Sequence, residues 1–281
     1  MLEIETVAAL RADLKQLRAR QRIALVPTMG NLHAGHLALV REAQRLADLV
    51  IAYIFVNRLQ FGPSEDFDRY PRTMDADRAK LAGLGVPILF APSEPEIYPR
   101  PQTFAVDPPP LANELCGAFR PGHFRGMATV VLKMFNIVSP DVATFGKKDY
   151  QQVNIVRDMT GQFGLPIEIA AIETVREADG LAMSSRNSYL SPEHRREAPR
   201  LYAELSALAN ASAVDSSVSL EATAAEVQHR LSAAGWRMDY VEVRRRADLV
   251  RPAAGDRELV VLAAGWLGQT RLIDNVEFTR N

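Results

Sequence analysis

The chain has 281 residues, with 33 basic against 34 acidic side chains and a formal net charge of −1, a length that suits about two domains at roughly 100–200 residues each. Its 47% hydrophobic and 24% charged residues are those of a soluble globular protein. The near-neutral balance argues against sequence-independent nucleic-acid or anionic-membrane binding, which needs a basic footprint, and the single Cys116 excludes an internal disulfide. No apolar run reaches the roughly 20 residues of a membrane span. The start, Met1-Leu2-Glu3-Ile4-Glu5, lacks the basic-then-apolar order of a signal peptide. A cytoplasmic protein with neither nucleic-acid nor membrane partners is the expectation.

In chain order, Ile23–Val26 reads as a strand running into Pro27-Thr28-Met29-Gly30. From Gly35, Leu37, Val40, Ala43, Leu46 and Ala47 recur at helical spacing, and Leu49–Val56 is a continuous apolar run, as in a strand covered on both faces. A helix over 75–84 with a Gly85 stop precedes the strand Val86–Phe90; residues 126–138 predict a buried helix and Ala143–Phe145 a strand. Helix Asp149–Phe163 and strand Ile167–Ile172 complete the alternation of a parallel α/β sheet. Beyond about residue 175 the pattern changes. Helices over 191–211 and 219–234 flank the Ser-rich connection 215–219, and strands come next at 238–243, 258–262 and 270–274. The expected organisation is a Rossmann-like domain over 1–175 and a smaller α+β domain over 176–281, the latter acting as a lid.

Neither GxGxxG nor GxxxxGK[ST] comes after the first strand, so the usual dinucleotide and P-loop readings fail. The strand leads instead into Met29, Gly30, Asn31, Leu32, His33, Ala34, Gly35 and His36, with two of the five histidines three apart at a helix start. Unsatisfied N–H groups and the positive end of the helix dipole favour an anion there, and imidazoles beside it can donate to phosphate. Metal binding is the rival reading, though no third ligand stands at a usual spacing; two incidental histidines is the other. Only five basic residues are lysines, and Lys147-Lys148 are adjacent: compact ammonium groups suit phosphate oxygens, or simply a solvated turn. Met183-Ser184-Ser185-Arg186-Asn187 offers small hydroxyls and a cation for triphosphate oxygens, a run also common in plain loops. Asp75 and Asp77 open a helix, either solvated or within reach of Mg²⁺ through water or a phosphate. His123 and Arg125 flank a glycine-bearing turn. Cys116 reads as buried rather than reactive, and His194 and His229 as structural or exposed.

Together, His33-Ala-Gly-His36 resembles the HxGH signature of class I nucleotidyltransferases, and Met183–Asn187 its KMSKS-type companion. Phe55-Val-Asn57 with Gln60-Phe61, Tyr70-Pro-Arg-Thr73, Arg120-Pro-Gly-His-Phe124, Phe145–Gln152 and Asp179–Asn187, in this order, resemble the pantoate–β-alanine ligase family over essentially the whole chain. The resemblance implies an ATP- and Mg²⁺-dependent ligase, a cytoplasmic homodimer, that joins (R)-pantoate to β-alanine through a pantoyl adenylate. It implies that Met29–His36, Gly146, Lys147, Lys148, Asp149, Val175 and Met183–Arg186 bind ATP. His33, His36, Lys148, Ser184, Ser185 and Arg186 would act on the phosphates, with His36 matching the usual proton donor. Gln60 would hold pantoate and β-alanine, Gln152 pantoate, and Asp77 is the candidate metal contact. Two departures stand out: Arg58 where the family has Pro, and Lys147 where an acid or amide is usual. Another HxGH enzyme with a phosphate or alcohol acceptor is the alternative, although the paired amides Gln60 and Gln152 supply no charge for an anionic phosphate. An aminoacyl-tRNA-synthetase-like RNA binder lacks its basic appendix, and an inactive module would be expected to have lost His33, His36 or Lys148.

Overall fold

The computed structural model describes residues 1–63, 65–215 and 217–281. The chain divides into two compact units, Met1–Lys147 with Ile155–Glu173, and Lys148–Asn154 with Thr174–Asn281.

The first unit is built in the order β1 (Leu2–Ile4), α1 (Val7–Leu17), β2 (Ile23–Thr28), α2 (Ala34–Leu46), β3 (Leu49–Ile54), α3 (Met74–Gly83), β4 (Ile88–Phe90), the single turns α4 (Glu94–Ile97) and α5 (Cys116–Phe119), α6 (His123–Val138), β5 (Val142–Gly146), α7 (Tyr150–Gln162) and β6 (Glu168–Ile172). The first residues of α7, through Asn154, cluster with the second unit. Six strands form one sheet in the order β1-β4-β3-β2-β5-β6, and every pairing is parallel. All six residues of β3 are buried, which is why its sequence is apolar without alternation. On one face Leu39, Val40 and Ala43 of α2 pack with Val26, Ala52, Ile54 and Leu81. Eleven of the sixteen residues of α6 are buried, so its helical pattern is apolar almost all round. Cys116 is buried in α5, as expected.

The strand order places the functional end of this sheet. From β2 the chain moves to β3 on one side, while β5 lies on the other. Connections therefore leave β2 and β5 in opposite directions, and it is at the carboxyl ends of such a strand-order reversal that open α/β sheets bind ligands. β2 ends at the Met29–His33 loop and β5 at Gly146-Lys147.

The second unit contains α8 (Pro192–Glu197), α9 (Arg200–Val214), α10 (Leu220–Ala233) and the antiparallel sheet β7 (Arg237–Arg245), β8 (Glu258–Leu267), β9 (Thr270–Thr279). Leu201, Leu205 and Leu208 of α9 and Val227 and Leu231 of α10 pack against Val241, Val261, Ala263, Leu272 and Phe278. Gly268, at φ +60°, opens the two-residue turn between β8 and β9. The sheet is longer than the alternating runs suggested, because the buried apolar residues Ala263, Ala264 and Leu267 continue β8.

One other expectation is corrected, and two elements lie ahead of those expected. The helix expected over 191–211 is interrupted at Ala198-Pro199: proline has no N–H to continue the ladder, so α9 starts afresh after it. β1 and α1 precede the expected elements; Leu10 and Leu14 supply one turn-spaced buried pair, and Thr6 Oγ1 accepts from Ala9 N at 3.3 Å to start the helix. Ser216, in the expected Ser-rich connection, lies outside the described residues. Among the described residues no helix is long and apolar enough to cross a membrane.

Candidate active site

The start of α2 is built from side chains that satisfy its backbone. Thr28 Oγ1 donates to Tyr53 O at 2.9 Å and accepts from Gly30 N at 3.3 Å. The chain then turns through two left-handed residues, Gly30 at φ +80° and Asn31 at φ +50°. A Cβ on Gly30 would also stand 3.2 Å from Asp77 Oδ2 and Ile54 Cγ2, so position and conformation both favour glycine. Asp77 reaches across from α3: Oδ2 accepts from Asn31 N and Oδ1 from Leu32 N, each at 2.8 Å. Lys80, one turn further along α3, donates to Leu32 O at 2.6 Å.

The two histidines complete this turn as a reciprocal cap. His33 Nδ1 accepts from Gly35 N at 3.2 Å, and His36 Nδ1 accepts from His33 N at 3.3 Å. The rings lie 4.0 Å apart between centroids. A ring nitrogen that accepts from a backbone N–H carries no proton, so in both neutral imidazoles the proton sits on Nε2. The cap thus fixes two side-chain donors where the helix dipole already favours an anion.

Gln60 ends the 3-10 turn Arg58–Gln60, and its amide is oriented by a relay. Tyr98 OH donates to Asn57 Oδ1 at 2.8 Å, and Asn57 Nδ2 donates to Gln60 Oε1 at 3.0 Å. Gln60 Nε2 is therefore the amide's donor end, 3.3 Å from Met29 Sδ. Burial holds the Tyr98 hydroxyl well above the ordinary phenol range, so it remains a donor. The backbone carbonyl of Gln60 is held as well. His123 Nδ1 donates to it at 2.8 Å, while His123 Nε2 faces Arg120 Nη1 at 2.9 Å. Since guanidinium only donates and carbonyl only accepts, His123 is the neutral Nδ1–H tautomer. Arg120 in turn grips Glu65 through two bonds of 2.6 and 2.7 Å. Gly126 admits this turn: a Cβ there would lie 1.9 Å from Leu59 O. The sequence alone assigns no role to Tyr98 or Arg120. Arg120 does stand in the Arg120–Phe124 motif, whereas nothing local marks Tyr98.

In the second unit, residues 175–183 form a small hairpin. Glu177 N donates to Leu181 O at 2.8 Å, Met183 N to Val175 O at 3.0 Å, and Gly180 turns at φ +93°. Ser184 then caps the 3-10 turn Ser185–Tyr189 by accepting from Arg186 N at 3.2 Å. Asn187 Nδ2 ties the turn back to Ala182 O at 3.1 Å. Met183, Ser184, Ser185 and Arg186 are half-buried, as is Val175. Lys148 and Asp149 lie in the turn that opens α7, with Asp149 exposed, and Gln152 is half-buried in the first turn of that helix.

Three expected residues are placed in ways the sequence did not suggest. Asp77 is neither solvated nor turned to a phosphate: it is 1% exposed, and both its oxygens accept from backbone N–H groups. Lys147 directs its ammonium to Glu173. Arg58 lies 3.9 Å over the Phe67 ring and pairs with Glu94, and Asn57 keeps an extended conformation of the kind a following proline would also favour. Among the described residues no three His, Cys, Asp or Glu side chains gather as a metal would require.

An open six-stranded parallel sheet with crossover helices, one of them capped by two histidines, defines a Rossmann-like α/β architecture. The family model described as pantoate-beta-alanine ligase matches residues 3–277. The chain is 58% identical to pantothenate synthetase of Chromobacterium violaceum, over 99% of both chains, and 56% identical to that of Thiobacillus denitrificans, over 99% and 98%. It superposes on the crystal structure of pantothenate synthetase from Thermus thermophilus with a TM-score of 0.91 and 44% identity, covering 98% of this chain and 99% of that one. For the pantoate-beta-alanine ligase from Francisella tularensis, complexed with an ATP compound and β-alanine, the TM-score is 0.83 at 32% identity, over 98% and 97%. The chain belongs to the pantoate–β-alanine ligase family, a family of ligases.

The cap predicts separable effects. His33→Asn and His36→Gln keep acceptors for the backbone, so each leaves chemical stability within about 1 kcal/mol, while removal of the Nε2–H donor lowers ATP-dependent pyrophosphate release by about 100-fold or more. Denaturant titration and a pyrophosphate assay on the same preparations check this. The Glu65–Arg120 pair predicts a pH dependence. Burial raises the Glu65 carboxyl, but the Arg120 bonds and charge together outweigh it and hold it below the ordinary carboxylate value. A lowered carboxyl stabilises fully above its unfolded value and loses that contribution as pH falls through its folded value. Glu65→Gln therefore costs roughly 2 kcal/mol at about pH 7, and the gap to the parent protein closes progressively below about pH 4, as read by urea unfolding.

Proposed function

We propose that this chain joins (R)-pantoate to β-alanine in an ATP-dependent ligation that passes through pantoyl adenylate. The observation that carries the reading is the histidine-capped start of α2 at the strand-order reversal, in a chain whose family match runs over residues 3–277. A carboxylate is a poor acyl donor, and AMP is a far better leaving group than oxide. In the first step a pantoate carboxylate oxygen attacks the α-phosphorus, and the bond to the bridging oxygen of pyrophosphate breaks. In the second, the β-alanine amine attacks the acyl carbon, the bond to the AMP oxygen breaks, and the amine sheds a proton.

Residues 1–175 form the nucleotide- and pantoate-binding domain in this proposal, and 176–281 the domain that carries the MSSRN loop. Met29–His36 line the ATP site, and the Nε2–H groups of His33 and His36 donate to phosphate oxygens as charge grows on them. The accepting role of both Nδ1 atoms supports electrostatic donation by neutral rings, since a neutral Nε2–H needs no prior protonation. Gly146, Lys147, Lys148 and Asp149 serve the nucleotide, Lys148 at a phosphate and Asp149 at the ribose. Val175 borders adenine, and Met183, Ser184, Ser185 and Arg186 serve the triphosphate. Gln60 and Gln152 hold pantoate with neutral amides, which bind its oxygens without pinning the nucleophile in an ion pair; Gln60 also serves β-alanine.

Magnesium enters with ATP as part of the substrate, held chiefly by phosphate oxygens and water. The donor set supports this, because the Asp77 carboxylate already accepts two backbone N–H groups. A cytoplasmic homodimer completes the reading, as the family resemblance implies. Transfer of a nucleotide to a phosphate or alcohol acceptor is not favoured, given a family match to acid–amine ligases.

Pyrophosphate and AMP measured from ATP and Mg²⁺ test the proposal. With (R)-pantoate alone, stoichiometric pyrophosphate is expected, turning over to AMP and pantothenate only when β-alanine is added. Folded, ATP-binding protein that releases no pantoate-dependent pyrophosphate would overturn it.

A further inference from the structure

Strand β9 carries four polar side chains over residues 274–279, and two of them are buried beside an otherwise apolar surface. Along the strand, Leu272, Val276 and Phe278 pack into the core of the second unit, and Asp274 shares their face by the period-two rule. Asp274 is 4% exposed. A carboxylate there needs a strong partner, and it has one: Arg176 donates to its two oxygens at 2.7 and 2.9 Å. The same guanidinium reaches Gly180 O at 3.1 Å and lies 3.5 Å over the Tyr202 ring. Arg176 sits at the base of the 175–183 hairpin, so the even face of β9 holds the segment that runs into Met183–Arg186.

The odd face holds a different segment. Asn275 Nδ2 donates to the Lys148 carbonyl at 3.1 Å, and Glu277 Oε1 accepts from Tyr150 OH at 2.7 Å. Asn275 is 7% exposed. Both contacts grip the turn that carries Lys148 and Asp149. The two faces are also tied to each other, because Asn275 N donates to Asp274 Oδ1 at 2.8 Å. Neighbouring residues of one strand thus grip two segments that are about 30 positions apart in sequence but all belong to the second unit.

We infer that β9 is a bracket that fixes the spacing between the Lys148 turn and the MSSRN hairpin, with Asp274, Asn275 and Glu277 as positioning residues for the triphosphate. The inference rests on the ATP-site reading proposed above. Its physical content is that a triphosphate must be gripped at two points at once, and a strand with side chains on alternate faces sets that distance rigidly. Once the adenylate has formed and pyrophosphate has left, there is no triphosphate to span, and only the AMP moiety still touches the two segments. The spacing therefore acts chiefly on the first half-reaction and leaves aminolysis at saturating adenylate nearly unchanged.

This separates a positioning role from a merely structural one. Asn275→Asp keeps size and shape but replaces the donor facing the Lys148 carbonyl with an acceptor. Tyr150→Phe removes only the hydroxyl held by Glu277. The parent protein and both variants are assayed for pyrophosphate release from ATP and pantoate, and for pantothenate formation from supplied pantoyl adenylate and β-alanine. The expected result is a KM for ATP raised about tenfold in Asn275→Asp and about threefold in Tyr150→Phe, with aminolysis of the supplied adenylate within about twofold of the parent. If both half-reactions fall together, or neither changes, the bracket is overturned. Should Asn275→Asp fail to fold, Tyr150→Phe decides by the same comparison. A parent protein without pantoate-dependent pyrophosphate would instead sink the ligase reading itself, before any variant is compared.

Discussion

The first N–H groups of a helix need acceptors, and in this protein that need organises the functional end of the parallel sheet. Between β2 and α2 the chain turns through two left-handed residues, which aims the Asn31 and Leu32 N–H groups at the Asp77 carboxylate. With those two held from α3, the next donors, His33 N and Gly35 N, fall to imidazole Nδ1 atoms. Satisfying the backbone therefore decides the chemistry of the side chains: each ring is left with its proton on Nε2. The same interactions that terminate the loop leave two ring N–H donors at the helix start, as the proposed phosphate site needs.

Similar logic recurs wherever a polar group is to be presented in one orientation. A glutamine amide can flip, but Gln60 is read through Asn57 from a hydroxyl that can only donate usefully, so its NH₂ end is defined. Its backbone carbonyl is fixed separately by His123, whose tautomer is set by Arg120. In the second unit the carboxylate of Asp274 is buried because Arg176 neutralises it, and that pairing ties the 175–183 hairpin to the sheet. In each case an inner group is positioned by an outer one with no freedom left to choose.

Much of this was legible in the sequence where the physics is local. A strand buried on both faces shows as an unbroken apolar run, and β3 lies where such a run predicts it, while β5 covers the short strand expected at 143–145; α2, with its stripe from Leu37 to Leu46, and the antiparallel strands of the second unit obey their own periodicities. The residues of the α2 cap stood out because two histidines three apart meet a helix start. What escaped depends on pairs distant along the chain. Asp77 meets Leu32 across 45 positions and Tyr98 meets Asn57 across 41, so neither shows a local signature. The reading of Asp77 as a metal contact or a solvated helix start fits its place at the head of α3, but not the loop that folds onto it. The break at Pro199 was the one local signal overridden, because the apolar spacing on either side continues across it.

The central claim is that backbone capping sets the protonation pattern of His33 and His36. Ring-nitrogen NMR of the protein labelled with ¹⁵N in its histidines, assigned through His33→Asn and His36→Gln, tests it most directly near neutral pH. The account predicts both rings neutral, with an unprotonated, hydrogen-bonded Nδ1 and the proton on Nε2. A proton on Nδ1 of either ring would contradict it, because the backbone N–H groups of Gly35 or His33 would then lose their acceptor.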